Sequence, residues 1–272
     1  MSDIHERVAR HYGQAGIAEA ILAALAAAGK DVDRLTPDDL APIDEFHTRG
    51  RAATVDLANM LALESAHRVL DVGSGIGGPS RYLAHSYACT VVGLDLTPEF
   101  CAVARVLAER TGLGHRVSYR QGNALDMPFE DESFDVVWSQ NAAMNIAERD
   151  RLYREMRRVL RGGGRLAIND VTVGEGGPPH YPVPWAREAS TSFLLSAEVT
   201  RRRLEAAGFQ VIAWEDTSAP ALEFARRRAA VGPVPLGIHV FMGADWPAMT
   251  ANTLRNLAED RIRSLHAVLE RT

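Results

Sequence analysis

The sequence predicts an α/β protein with a doubly wound, mostly parallel β-sheet. Short, continuous apolar runs at residues 69–72, 91–94 and 134–138 are typical of strands buried on both faces of a parallel sheet. Between them lie segments with helical periodicity, such as residues 98–112. Strands and helices that alternate at this spacing form parallel sheets with right-handed crossovers.

The length and composition of the chain are those of an ordinary globular enzyme. Its 272 residues suffice for one large α/β domain, or for a core domain with a cap. The formal net charge is −5 and no strongly basic face is evident, so nucleic acid is not an expected partner. The chain has no apolar run long enough to span a bilayer and begins without an apolar leader, so a membrane is not an expected partner either.

The cysteine content predicts a reducing compartment. Only Cys89 and Cys101 are present, which indicates neither a disulfide framework nor a zinc site. We therefore expect a cytoplasmic protein without a bound metal. The sequence leaves open whether the chain forms a homodimer.

Residues 1–62 precede the first predicted strand and are expected to form an N-terminal helical cap outside the sheet. Apolar residues between 17 and 25 share one helix face, and Gly29 can end that helix. Residues 39–50 contain prolines that forbid long regular structure. A second predicted helix carries the apolar residues between 57 and 61.

The core, predicted over residues 63–272, begins with a strand, a glycine-rich turn and a helix. Glycines permit positive φ angles and let the backbone approach a ligand closely, and Pro79 suits the first turn of a helix. A helix N-terminus at the end of a central strand can hold a polar small molecule. The four glycines are Gly73, Gly75, Gly77 and Gly78.

These glycines match two ligand-binding patterns. Gly73, Gly75 and Gly78 fit G-x-G-x-x-G, the dinucleotide fingerprint, while Asp71 with Gly73, Gly75 and Gly77 fits D-x-G-x-G-x-G. Asp95 ends the next predicted strand at the distance expected of an acid that binds ribose hydroxyls. The combination predicts a site for a nucleoside-containing ligand.

The remaining core elements follow in order. Residues 117–121 are expected to form a strand near the sheet edge, and residues 165–168 another strand. The helix between strands 134–138 and 165–168 includes Leu160 and is expected to run up to the glycines at 162–164.

The C-terminal part is predicted to contain two lid segments, near residues 174–196 and 218–250. Three glycines and four prolines between residues 174 and 185 exclude a regular element there. Ser196 can cap a helix that Gly208 ends, and a strand follows at 209–214. The tail at 264–270 fits either a helix end or an alternating strand.

Taken together, these motifs resemble the class I S-adenosylmethionine-dependent methyltransferases over residues 63–217. The resemblance rests on the glycine-rich turn, Asp95, the segment Gly122-Asn-Ala-Leu-Asp-Met-Pro-Phe129 and the run Phe134-Asp-Val-Val-Trp138. It implies a seven-stranded Rossmann-like methyltransferase fold whose seventh strand, antiparallel and at the sheet edge, would be residues 264–270.

A narrower resemblance concerns two short segments. Residues 44–50 and 181–185 look like those of the sarcosine/dimethylglycine N-methyltransferase-like subgroup.

The family resemblance implies that S-adenosyl-L-methionine is the cofactor and assigns ten residues to binding it. Gly73 and Gly75 would bend under its methionine part, with Asp71 near the amino group, and Asp95 would accept hydrogen bonds from both ribose hydroxyls. The other positions are Tyr12 in an N-terminal lid, Ser74 in the turn, Leu96 beside adenine, Asn123 and Ala124 at the adenine edge, and Gln140 at the methionine moiety.

Fewer residues are predicted for acceptor binding and catalysis than for cofactor binding. The protein must mainly hold the acceptor in line with an already activated methyl group. A neutral amine needs no strong base, whereas a phenol or activated carbon benefits from one. Candidate catalytic residues are His47 and Asn141, and candidate substrate residues are Asn145, Trp185 and His239. A structural role remains the alternative for His239, and an anchoring role in the lid for Trp185.

The sequence therefore favours a methyltransferase that acts on a small-molecule acceptor, with nitrogen as the expected acceptor atom. Three alternatives stay open: carbon methylation of a quinone-like ring, an NAD-dependent oxidoreductase, and a non-enzymatic cofactor-binding or structural protein on this fold.

Overall fold

The computed structural model describes residues 16–232 and 234–272, and in these residues seven strands form one sheet. Their order across the sheet is β3-β2-β1-β4-β5-β7-β6. The first five strands pair in parallel, and β7 runs antiparallel to both of its neighbours. The predicted fold class is confirmed. The strands are β1 (Arg68–Val72), β2 (Thr90–Asp95), β3 (Val117–Gln121), β4 (Phe134–Gln140), β5 (Leu160–Val173), β6 (Phe209–Asp216) and β7 (Ile262–Arg271).

Helices cover both faces of the sheet and its carboxyl edge. They are α1 (Ile17–Ala27), α2 (Pro37–Asp44), α3 (Arg51–Asn59), α4 (Gly78–Tyr87), α5 (Pro98–Arg110), α6 (Arg149–Val159), α7 (Ala197–Ala206), α8 (Ser218–Val231), α9 (His239–Met242) and α10 (Trp246–Ala258). Within the described residues, no helix combines the length and the apolar composition needed to cross a bilayer.

Strand β7 corrects one expectation. The tail is a strand, but it lies between β5 and β6 rather than at the sheet edge, which β6 occupies. The physical reason is burial: Leu265 and Leu269 pack into the core on one face of the sheet, and Val268 packs into the core on the other. By contrast, Ile212 on β6 leaves 49% of its surface exposed.

The N-terminal elements also differ from the expectation in one place. Helix α2 forms in the proline-containing segment because Thr36 and Asp39 build a capping box and Pro37 occupies the first turn. Pro42 lies inside this eight-residue helix. The division of the chain at residue 62 stays a prediction.

The start of β5 corrects another expectation. Helix α6 ends at Val159, and Leu160 is already a strand residue that pairs with Phe134. The glycines at 162–164 therefore lie inside β5 rather than after a helix.

Two packing features bring the cap and the C-terminal helices over the carboxyl edge of the sheet. Helix α1 shares a buried apolar cluster with α5, α9 and α10. Helices α8–α10 leave the sheet after β6 and return at β7. Thr217 and Ser264 join the two ends of this excursion through a backbone hydrogen bond of 2.8 Å and a hydroxyl–hydroxyl hydrogen bond of 2.9 Å.

Candidate cofactor and acceptor site

A cavity of about 1600 Å³ lies at the carboxyl ends of β1, β2 and β4. The cap, the glycine-rich turn, the 3₁₀ turn Ala143–Asn145 and residues between 224 and 254 form its walls. Ordinary small-molecule pockets measure roughly 300–1,000 Å³. This cavity therefore has room for a cofactor and a second molecule of considerable size.

The glycine-rich turn is shaped by tight packing on one side and open space on the other. Gly77 has a φ of +83°, and a Cβ there would lie 2.1 Å from the Tyr119 hydroxyl. A Cβ on Gly75 would meet nothing closer than the Phe46 ring at 3.4 Å. The turn thus packs through Gly77 and presents bare backbone to the cavity at Gly75.

Asp95 holds the turn against the end of β2. Its two carboxylate oxygens accept hydrogen bonds from the Gly75 N–H at 2.8 Å and the Thr97 N–H at 2.9 Å. Burial raises the pKa of Asp95, against the opposite effect of these backbone hydrogen bonds. Asp95 also lines the cavity, where its carboxylate can accept hydrogen bonds from a ligand.

Asp71 lies at the floor of the cavity, 2% exposed, and accepts a hydrogen bond of 2.6 Å from the Ser80 hydroxyl. Burial raises the pKa of Asp71 to about 7, with a further contribution from the charge of Asp95. A nearby ammonium group would favour the charged form of this carboxyl group.

Gln140 ends β4 with its amide orientation fixed. The Trp138 indole Nε1 donates to Gln140 Oε1 over 3.0 Å, and an indole N–H can only donate. The amide nitrogen of Gln140 is consequently turned away from Trp138, and this buried atom has no hydrogen-bond partner among the described residues. Since Gln140 lines the cavity, its unpartnered N–H groups fit a ligand that offers an acceptor such as a carboxylate.

His47 belongs to a buried hydrogen-bonded group in the cap wall. Its Nε2 lies 3.1 Å from the Gly50 carbonyl oxygen and 3.1 Å from Glu45 Oε2, two groups that only accept. Nε2 therefore carries the proton, and Nδ1 of the neutral ring is the basic nitrogen. The Thr54 hydroxyl lies 3.0 Å from His47 Nε2 and donates to Glu45 over 2.8 Å.

Glu45 is held ionised in this group. Burial opposes its charge, but the hydrogen bond from His47 and the charge and hydrogen bond of Arg51 outweigh that effect and lower the pKa of Glu45 to about 2. The pair of His47 and Glu45 has the arrangement of a base and the group that orients it.

The other predicted cofactor residues have these positions. Leu96, Asn123 and Ala124 line the cavity beyond Asp95, and the buried Ser74 hydroxyl has no described partner. Tyr12 lies outside the described residues. The structure thus brings nine of the ten residues to one cavity, and their roles stay predictions.

The predicted catalytic residue Asn141 also lies at the cavity, directly after β4, with a φ of 52°. Its backbone N–H donates to the Asn169 carbonyl over 2.7 Å, while its buried side-chain oxygen has no described partner.

The predicted substrate residues all line the cavity, and two of them also form hydrogen bonds within the predicted lid segment near residues 174–196. The Asn145 amide donates to the Trp185 carbonyl oxygen at 2.8 Å and to that of Thr191 at 3.2 Å. The Trp185 indole donates to the Ser192 hydroxyl over 2.9 Å. His239 lies at the start of α9. Substrate binding by these residues stays a prediction.

Three residues that shape the site were not singled out in the sequence. Thr54 gave no signal, since it is one polar residue in a helix. Trp138 did give one, because residues two apart on a strand share a face and Gln140 was already a candidate. Glu45 also gave a signal, because it lies in the same short segment as the candidate His47.

Comparisons with known proteins agree with this geometry. The family model described as a methyltransferase domain matches residues 70–168. The sarcosine/dimethylglycine N-methyltransferase of Halorhodospira halochloris is 32% identical over 189 residues, which are 69% of this chain and 67% of that protein.

Two further comparisons extend this result. Methyltransferase GfsG of Streptomyces halstedii is 39% identical over 135 residues, so this chain matches 49% of its length. The crystal structure of geranyl diphosphate C-methyltransferase from Streptomyces coelicolor A3(2), in complex with Mg²⁺, geranyl diphosphate and S-adenosyl-L-homocysteine, aligns with a TM-score of 0.75 over 100% of this chain and 99% of that one. At 16% identity that likeness shows the fold.

Proposed function

Because this chain belongs to the S-adenosylmethionine-dependent methyltransferases, we propose that it transfers a methyl group from S-adenosylmethionine to a bulky, largely apolar small-molecule acceptor. The observation that carries the proposal is one cavity whose lining includes both the glycine-rich turn and a mainly apolar wall, which is formed by residues between 224 and 254 and is called the second chamber below. The family places the chain among methyltransferases rather than among NAD-dependent oxidoreductases, the other enzyme class that the glycine pattern allowed.

The cofactor end of the cavity is suited to this ligand. Asp71 would pair with the amino group, Gln140 would donate to the carboxylate, and Asp95 would accept from the ribose hydroxyls. Bound S-adenosylmethionine supplies a methyl group activated by the positive charge of its sulfur. The chain's own contribution is to orient the acceptor toward that methyl group and to keep water out, which can lower the barrier by roughly 7–11 kcal/mol.

Nitrogen is the acceptor atom that we propose, with carbon as the alternative. The identity with the Halorhodospira N-methyltransferase supports nitrogen. A nitrogen that carries hydrogen would bond to the methyl carbon as the carbon–sulfur bond breaks and its electron pair stays on sulfur. The methylated nitrogen would then release a proton, which His47 Nδ1 would take up while Glu45 stabilises the charged ring. Asn141 would help to orient the acceptor.

The size of the acceptor separates this proposal from the narrower subgroup resemblance. Sarcosine and dimethylglycine would leave most of a cavity of about 1600 Å³ unfilled. Apolar residues such as Phe224, Leu236, Met242 and Trp246 line the second chamber, and they would bury an apolar body of matching size.

Calorimetry with S-adenosylhomocysteine tests the cofactor half of the proposal, and absence of binding at high micromolar ligand would refute it. The acceptor half is tested by transfer of a radiolabelled methyl group to a panel that runs from sarcosine to bulky aryl-alkyl amines and phenols. We expect transfer to the bulky amines. Transfer to sarcosine alone would contradict the proposed acceptor class.

Whether the chain forms a homodimer stays open, and a cytoplasmic location stays a prediction. Size-exclusion chromatography with light scattering would test the first.

A further inference from the structure

We infer that Arg228 is an anion-binding residue of the acceptor chamber, so that the acceptor is an amphipathic anion: a bulky apolar body with one carboxylate, sulfate or phosphate group. The inference rests on the proposed function, because it assigns an acceptor class to the same cavity.

The chamber wall formed by residues between 224 and 254 carries positive charge and no negative charge among the described residues that line the cavity. Among the described residues of this wall that line the cavity, Arg228 is the only one with a permanent charge, and none is acidic. The carboxyl groups of the cavity lie on other elements, such as Asp71 on β1 and Asp95 on β2. An anionic group is therefore repelled at the strand ends and attracted to the Arg228 wall.

Arg228 is half-buried near the end of α8, and its position is fixed by one hydrogen bond. Its Nη1 donates to the Gly232 carbonyl oxygen over 2.8 Å, which caps the helix. Capping uses one of five guanidinium N–H groups. The other four have no hydrogen-bond partner among the described residues, although the fork geometry of a guanidinium matches a carboxylate or phosphate.

Other arginines near the cavity behave differently. Arg49 forms an ion pair with Asp56, and Arg51 forms one with Glu45. Arg228 has no carboxylate within ion-pair distance in the described parts of the chain. A half-buried guanidinium without a counterion, at the wall of a cavity, is suited to a charged ligand.

Three more residues belong to the same wall. His239 lines the cavity with no carboxylate in ion-pair contact among the described residues, and its ring can donate a second hydrogen bond to an anion. Leu236 and Ile238 line the cavity too and add apolar surface to the wall. The wall therefore combines one charged contact with a large apolar area, which is the composition that an amphipathic anion requires.

Two dyes with the same aromatic body test the inference: anilinonaphthalene sulfonate, which is anionic, and N-phenylnaphthylamine, which is neutral. Both are titrated by fluorescence into the full chain saturated with S-adenosylhomocysteine, so that only the acceptor chamber is available within the cavity. We expect Arg228→Gln to raise the dissociation constant of the sulfonate dye about tenfold, while that of the neutral dye changes less than about twofold. Arg228→Lys should retain part of the preference, because it keeps the charge and loses the fork.

Arg227→Gln is the matched control, since Arg227 is the adjacent residue, is exposed and pairs with Glu223 on its own helix. It should bind both dyes as the unmodified chain does. The inference is overturned if Arg228→Gln leaves the affinity for the sulfonate dye unchanged, or lowers the affinity for both dyes equally.

A salt series on the unmodified chain gives a second readout, independent of whether Arg228→Gln folds. Raising the sodium chloride concentration from about 0.01 M to about 0.5 M should lower the affinity for the sulfonate dye and leave the affinity for the neutral dye unchanged. Equal salt responses would contradict an anion site. Failure of S-adenosylhomocysteine to bind would instead refute the proposed function, so the two failures are distinguishable.

Discussion

The Trp138 indole, fully buried on β4, donates a hydrogen bond of 3.0 Å to the amide oxygen of Gln140 two residues later. The Thr54 hydroxyl lies 3.2 Å from the same oxygen. With its oxygen held on the protein side, Gln140 can offer only N–H donors to the cavity. The hydrogen bond from Trp138 therefore determines which groups Gln140 offers to a ligand in the cavity.

Gln140→Glu should weaken S-adenosylhomocysteine binding roughly 100-fold. The substitution keeps an acceptor for Trp138 and replaces the donor that faces the ligand by an oxygen, so a favourable contact to a charged group becomes repulsive. Calorimetry measures the change. Gln210→Glu, exposed on β6, is the control, and an unchanged affinity of the Gln140 variant would show that its amide does not contact the ligand.

Affinity for S-adenosylhomocysteine should fall as the pH drops below about 7. Burial raises the pKa of Asp71 to about 7, and only the ionised carboxylate can pair with the ligand's ammonium group. Below that pH, binding must first remove a proton, so affinity declines by up to about tenfold per pH unit. Asp71→Asn should bind more weakly at about pH 8 and lose the pH dependence. A wild-type affinity that is flat between about pH 5.5 and 8.5 would contradict the assignment.

Asp44→Ala should lower the free energy of unfolding by about 3–5 kcal/mol. Asp44 Oδ2 lies 2.7 Å from Arg81 Nη2, both side chains are fully buried, and the substitution leaves the guanidinium charge uncompensated. Urea denaturation gives the value. Asp38→Ala removes a carboxylate that is 94% exposed and should cost less than about 0.5 kcal/mol. Similar losses in both variants would mean that the buried pair has no special weight.

His266→Leu should make the protein more resistant to acid. His266 is 1% exposed, and neither ring nitrogen has a hydrogen-bond partner among the described residues. Burial, helped by the charge of Arg49, lowers the pKa of His266 from 6.5 to about 4.

The unfolded chain therefore binds a proton at this histidine between about pH 6.5 and 4 while the folded chain does not. Stability is lost as the pH falls through that window, by about 3 kcal/mol. Urea midpoints of the two proteins should differ progressively in favour of the leucine variant as the pH is lowered. Parallel pH profiles would contradict the prediction. His115→Leu, an exposed histidine, is the control.

The sequence was sufficient for the strand–turn–helix at residues 69–79 because local pattern and tertiary role coincide there. An apolar run, positive φ at Gly77 and a proline in the first helical turn are all requirements of the observed geometry. Asp95 could be predicted for the same reason, since it ends a strand that neighbours the turn.

Other features depend on contacts that the sequence does not display. The position of β7 inside the sheet depends on which elements bury its two faces. The sequence of this ten-residue strand does not identify those elements. Helix α2 required weighing one capping box against a proline inside the helix.

Arg228 shows the same limit within the candidate site. It follows two other arginines in the sequence, and successive helical residues point about 100° apart. Of the three, only Arg228 lines the cavity. The packing of α8 against its neighbours determines which of the three arginines reaches the cavity. Residue type alone does not distinguish them.

The excursion that carries α8–α10 begins at Thr217 and ends near Ser264, two residues that are hydrogen-bonded to each other. Its two ends thus lie side by side, while the residues predicted to bind the nucleoside belong to earlier parts of the chain. An exchange of this whole excursion for another of similar span would keep the same two anchors. Under the proposed function, this excursion would determine acceptor selectivity and could be replaced without changing the residues predicted to bind the methyl donor.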